Sequence, residues 1–250
     1  MSGLLRRLKS AWLGDWGRAV NLVTATHLDE GSAWRGTLVP AAGEMSAYFG
    51  SSSRVRRGHR SAEANSEKYL RDRVRRGKKR IRQFTVSNRL NCLLTLTFAE
   101  EPENVRSAAV LTANSFRRLF YRRPRAPYVW TLEAGERHGR IHAHALLDEV
   151  CAGRVATLWS FGIADCQQFA LDANSLRIAS SYLSKDLESA LVDHGQSYRI
   201  PKGFTPEAQR LPAGLEPSVL IRHASDLMGA SPVSVHESPR HPALTALWEV

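Results

Sequence analysis

The chain has only three cysteines, at positions 92, 151 and 166, and no two of them form a C-x-x-C pair. That excludes a zinc ribbon, argues against a disulfide-stapled scaffold, and fits a reducing, cytoplasmic setting. No apolar run approaches the ~18 residues needed to cross a bilayer, so no membrane partner is expected. Near the start, Arg6, Arg7, Lys9, Asp15 and Arg18 interrupt every apolar stretch, and no secretory leader is expected there. The phosphate-cradling pattern G-x-x-x-x-G-K-[ST] does not occur, which excludes a P-loop motor within these 250 residues. There is no internal repeat.

What the chain has in excess is positive charge, and it has it in one place. The formal net charge is +11. Residues 54–89 hold 14 Lys and Arg against three acids, Glu63, Glu67 and Asp72, so this stretch carries the whole excess and the rest of the chain is balanced. Concentrated cations are what a phosphate backbone attracts, since each one that displaces a condensed counterion adds salt-dependent affinity. Arg71, Arg73, Arg75, Arg76, Lys78, Lys79, Arg80 and Arg82 are the candidate DNA contacts. About 61–86 of this stretch reads as a helix with a thin apolar stripe of Tyr69, Val74, Ile81 and Phe84, weakened by Gly77.

The following segment alternates strands and helices. Residues 91–98 (NCLLTLTF), 128–133 (YVWTLE) and 140–148 (RIHAHALLD) have strand character, and the polar loop 134–139 joins the last two as a hairpin. Helical spacing predicts helices over 104–121, 149–160 and 174–191, with a further strand over 163–170. A hairpin among alternating elements favours an α+β fold, an antiparallel sheet with helices packed on one face, over a doubly wound parallel sheet. Seven of the 11 prolines lie in the last 51 residues, and a loop-rich tail is expected there. The resulting division is 1–53 of unclear role, 54–89 a basic DNA-binding segment, 90–204 the core, and 205–250 a Pro-rich tail.

Two places in the core carry chemistry. His142 and His144 stand two apart on a strand and share a face, with Ile141, Ala143, Ala145 and Leu147 on the other. Two imidazoles side by side can chelate a divalent ion if a carboxylate joins them. A hairpin centred on 137 and 138 sets Glu133 opposite His142 and makes it the third ligand; Glu136 is the fallback and Glu100 a weaker one. The same pattern also describes two half-exposed histidines with no ligand. The second place is the helix over 174–191, whose apolar stripe is Leu176, Ala179, Leu183, Leu187 and Ala190. Tyr182 borders that stripe and Lys185 follows one turn later on the same side, so phenol and ammonium can meet one ligand. Alone, these two would read as a snorkelling tyrosine and a surface lysine.

Taken in order, Leu94-Thr95-Leu96-Thr97-Phe98, the run His138 to Leu147 preceded by Glu133, and Tyr182-Leu183-Ser184-Lys185 resemble the three motifs of the HUH endonuclease superfamily. The resemblance is nearest to rolling-circle replication initiators of small plasmids and single-stranded DNA phages, and covers about 83–204. It departs from the family at Ala143, where a bulky apolar residue is usual; that position belongs to the core side. The resemblance implies an RRM- or ferredoxin-like palm that nicks single-stranded or origin DNA. It implies Mg²⁺ or Mn²⁺ on His142, His144 and Glu133, and Tyr182 as the nucleophile that forms a 5′-phosphotyrosine and leaves a 3′-OH primer. A free phenol titrates near ~10, so attack at neutral pH needs the metal's field or Lys185. His138 would be a nearby contact and not a ligand. Positions four from Tyr182 are Ile178 and Asp186, so the paired-tyrosine variant is absent, and a host helicase and polymerase are implied as partners. A single-tyrosine HUH transposase or relaxase is the alternative within the superfamily, although relaxases usually place the tyrosine before the histidines. A non-catalytic basic DNA-binding protein is the alternative of another class.

Overall fold

The computed structural model describes residues 32–51, 62–120, 126–134, 139–185, 187, 198–238 and 242–250. Residues 1–31, Arg54 to Arg60 of the basic stretch, Glu136, His138 and Ala190 lie outside the described residues.

The expected α+β class holds, with two antiparallel sheets. The first contains β3 (Cys92–Phe98), β4 (Val129–Ala134), β5 (Ile141–Leu147) and β6 (Gly162–Gln168), in the order β4-β5-β3-β6. Its alternation is legible in β3. Cys92, Leu94, Leu96 and Phe98 point to the back, whereas Thr95 and Thr97 are half-buried on the front. The back face packs on α2 (Val105–Phe120) and α3 (Glu149–Leu158), where Ala108, Phe116, Ala152 and Val155 are buried against Leu94, Leu96, Ala143 and Ala145. Ala143 is fully buried there, so its small size is a matter of packing. Asn104 and Asp148 cap these helices, each accepting a backbone N–H three residues on at 2.9 Å.

A second pair of helices lies over one end of the front face. These are α1 (Ala62–Ser87) and α4 (Ala173–Leu183), whose Ile81, Phe84, Ala179 and Leu183 pack on Leu93, Val129 and Leu146. Asp172 caps α4 through Ser175 N at 2.9 Å. The helix stops earlier than its apolar stripe suggests, with Ser184 as C-cap; Leu187 is nevertheless buried on the same core.

The prolines of the C-terminal stretch do not produce a loop-rich tail. Residues 209–247 instead share a second sheet with the N-terminal region. It is formed by β1 (Ser32–Val39), β2 (Glu44–Ser51), β7 (Gln209–Arg210), β8 (Ser234–Glu237) and β9 (Ala243–Leu247), ordered β7-β1-β2-β9-β8. One face is covered by α5 (Pro217–Met228), with Leu220 and Ala224 against Leu38, Met45, Leu244, Ala246 and Trp248. The prolines fall where they cost no ladder bond: Pro217 opens α5 and Pro242 precedes β9. The other face meets α1, so α1 and α4 form a layer between the two sheets. Arg177 of α4 fastens that layer, donating to the carbonyls of Ala42, Gly43 and Trp248 at 2.8–3.3 Å.

One further departure concerns the cysteines. Cys92 and Cys166 are joined by a disulfide across 74 residues, with their Cα atoms 6.4 Å apart. Spacing along the chain gave no sign of this bond. It exists because β6 lies beside β3 with Cys166 opposite Leu94, which makes Cys92 its diagonal neighbour. Cys151 remains a free thiol; burial, with a hydrogen bond to Asp148, pushes it up to about 12 and leaves it unreactive. No helix among the described residues is long and apolar enough to cross a membrane.

Gly162 starts β6 at a point where the chains nearly touch. A Cβ there would sit 2.1 Å from Thr97 O and 2.6 Å from Ala99 N, both backbone atoms. Gly162→Ala is therefore expected to cost about 2–4 kcal/mol and to lower the melting temperature by roughly 5–15 °C. A thermal melt within a degree or two of wild type would show that the β3–β6 contact yields easily.

Candidate nucleic-acid processing site

The exposed part of the front face is a grid of polar side chains set by strand register. Glu133 pairs with His142 across β4–β5, as the hairpin arithmetic requires, and Thr131 pairs with His144. On the other side of β5, Thr97 faces His142 and Thr95 faces His144. Each threonine hydroxyl lies 3.1 Å from the Nδ1 of its histidine. Both rings are thereby held with Nε2 outward, 6.4 Å apart between centroids. Burial moves His142 down from its ordinary value, favouring the neutral imidazole.

The carboxylate of Glu133 reaches diagonally. Its Oε2 is 3.2 Å from His144 Nε2 and its Oε1 3.1 Å from Lys185 Nζ. Lys185 lies just beyond the end of α4, so this ion pair brings the third sequence motif to the other two. The hydrogen bond from His144, aided by Lys185 and opposed by burial, holds Glu133 down to about 2, and it is ionised at neutral pH. Tyr182 stands in the last turn of α4, three residues before Lys185, with 58% of its surface exposed.

The start of β5 is held by a residue that the sequence did not single out. Glu101 Oε1 accepts the backbone N–H of Ile141 at 2.9 Å, and Arg140 donates to the carbonyls of Phe98 and Ala99 at 2.7 and 3.2 Å. These bonds fix His142 relative to Thr97 from outside the sheet. Glu101 carried no local signal because its partner is 40 residues away. The alternation T-x-T against H-x-H did carry one, but only once β3 is placed beside β5. Glu100, the weaker carboxylate candidate, is exposed in the loop after β3 and takes no part in this grid.

The donors suit a divalent ion in kind: two imidazoles pinned through Nδ1 and an ionised carboxylate. Among the described residues, however, no group of three or more His, Cys, Asp or Glu side chains is gathered tightly enough to hold an ion as it stands. Glu133 is instead engaged by His144 and Lys185.

Residues 91–187 match a family model of replication-associated proteins, the ORF2 type. The matched stretch begins just before β3 and ends just after Lys185. It contains the threonine strand, Glu133, the histidine pair and Tyr182, and it supports a replication-associated protein. No curated protein and no solved structure matches the chain.

The basic helix is not uniform. Arg71, Arg73, Arg75, Arg76, Lys78 and Arg80 are exposed, whereas Lys79 and Arg82 turn toward β2. Lys79 Nζ donates to Ser46 Oγ at 2.8 Å, and burial pushes its pKa down. Arg82 pairs with the buried Glu44 through Nε at 2.8 Å and Nη2 at 3.1 Å. These two cations tie the sheets together. Their part in the stretch is structural, because the second sheet occupies the side of α1 they project from.

Proposed function

We propose that the chain initiates rolling-circle replication by nicking one DNA strand. The observation that carries this reading is the meeting of Lys185, Glu133 and His144, with Thr95 and Thr97 holding the histidine rings. Three short motifs separated by tens of residues share one polar face, and the family match spans all of them.

Tyr182 is the nucleophile. Its phenolic oxygen bonds to the phosphorus and the bond to the 3′ oxygen breaks. The phenol gives up its proton and the departing oxygen takes one, so the step leaves a 5′-phosphotyrosine and a 3′-OH primer. Lys185 sits one turn from Tyr182 and places positive charge where a phenolate and the phosphate oxygens need it. Thr95 and Thr97 fix the imidazoles, and Glu133 supplies an anion at neutral pH. His142, His144 and Glu133 would hold Mg²⁺ or Mn²⁺, which when bound supplies positive charge to the scissile phosphate. The partners are single-stranded or origin DNA, with a host helicase and polymerase to extend the primer.

The test is adduct capture. The full chain is incubated with a randomised single-stranded oligonucleotide pool and Mn²⁺, then resolved under denaturing conditions. The expected result is a nuclease-sensitive, slower-migrating species that chelator removes, with its attached strands defining the nick site. Salt-sensitive retention of the pool without any covalent species would mark a DNA-binding protein that does no chemistry.

A further inference from the structure

A second basic feature lies away from the histidine face. Between α1 and residues 198–200 is a concavity of about 430 Å³ lined by Arg73, Arg76, Arg80 and Arg199. At ~100° per residue, the three helical arginines fall within an arc of about 60°. Gly77 lies inside that arc, and its missing side chain makes the hollow: a Cβ there would meet Leu187 Cδ2 at 2.6 Å and Tyr198 Cε1 at 3.2 Å. The glycine that weakens the basic helix thus allows Tyr198 to press against it and form the floor. Arg199 is brought in from the opposite wall. Its backbone exchanges two hydrogen bonds with Trp130, 2.8 and 3.1 Å, along the open edge of β4.

Among the described residues, the lining contains no carboxylate. Four guanidinium groups facing one hollow repel one another, and an anion relieves that repulsion. Guanidinium groups match phosphate geometry through paired N–H donors. The position also matters. Trp130 is three residues before Glu133 on β4, roughly 10 Å along a strand, so the hollow lies one short step from the histidine face.

We propose that this groove binds the phosphodiester backbone of the DNA strand next to the nick, with Arg76, Arg80 and Arg199 as the principal contacts. The proposal rests on the nicking reading for the identity of the strand, but the groove can be tested apart from it. Binding of a fluorescent single-stranded oligonucleotide to the full chain is measured in chelator across a salt series, so no covalent product contributes. Replacing Arg76, Arg80 and Arg199 together with Gln should make the log–log salt slope shallower by about 2, from ~0.7 per phosphate contact on single strands. Arg71, Arg75 and Lys78 lie on the far side of the helix, and replacing those three should move the slope less than half as far. Arg199→Lys should keep most of the slope, and thermal melts confirm that each variant folds.

Equal changes from the two triple variants would overturn the groove in favour of a diffuse positive field, and so would no change from the first. Adduct formation with Mn²⁺, read separately, tells the two ideas apart. An adduct with an unaltered slope removes the groove and keeps the nickase. A lost slope in a protein that never forms an adduct keeps the groove and removes the nickase.

Discussion

Tyr182→Phe is expected to abolish the covalent DNA adduct while leaving the fold and non-covalent DNA binding intact. The ring is more than half exposed and borders the apolar stripe of α4, so loss of one hydroxyl removes little packing. Loss of a nucleophile is a different matter. No other oxygen replaces it at the same position, and such deletions in enzymes cost on the order of 10³-fold or more in rate. The measurement is single-turnover adduct formation on the strand recovered by adduct capture. A companion variant sharpens the result. Lys185→Ala keeps the nucleophile but removes the charge beside it and frees Glu133 from one partner. It should slow cleavage more than it weakens binding. A Tyr182→Phe protein that still forms the adduct would move the nucleophile elsewhere on the chain, and a purely binding defect in Lys185→Ala would remove its role in the reaction.

Glu44→Ala is expected to destabilise the protein by about 3–5 kcal/mol, because it breaks a buried charge pair from one side. Glu44 is 1% exposed and accepts from Arg82 Nε, Arg82 Nη2 and Gln83 Nε2 at 2.8, 3.1 and 3.1 Å. Removing the carboxylate leaves a guanidinium and an amide facing an apolar methyl between α1 and the second sheet. Arg82 keeps about a third of its side-chain surface exposed and can recover some hydration, which places the loss toward the lower end. Glu44→Gln should fall between the variant and wild type, since it keeps hydrogen bonds but not the charge. Urea denaturation followed by tryptophan fluorescence reads the difference. Trp34 and Trp248 sit in the second sheet's core and Trp130 and Trp159 in the first, so separation of the two sheets would appear as two transitions. A loss below about 1 kcal/mol would mean that the pair contributes little and that α1 is held by its apolar contacts.

The elements of the core were legible because their signals are local. A period of two in LLTLTF and IHAHALL, and a period near 3.6 in the helices after them, depend only on neighbouring residues. The opposition of Glu133 and His142 follows from a short hairpin, whose register its loop length fixes. The charge of α1 is equally a property of composition.

The tertiary structure decided what depends on distant partners. The first and last parts of the described chain meet as one sheet, since β2 pairs with β9 about 200 residues on, and prolines at element starts are compatible with that pairing. Cys92 and Cys166 bond because β6 runs beside β3. Lys79 and Arg82 face inward because a sheet covers that flank of α1, and the other flank becomes a groove only when Tyr198 and Arg199 close it. Glu133 turns to His144 and Lys185 because α4 packs over the end of the sheet. Periodicity fixes which face a side chain occupies; which neighbour stands opposite is set by register and packing between segments far apart in the chain, and these carry no local signature.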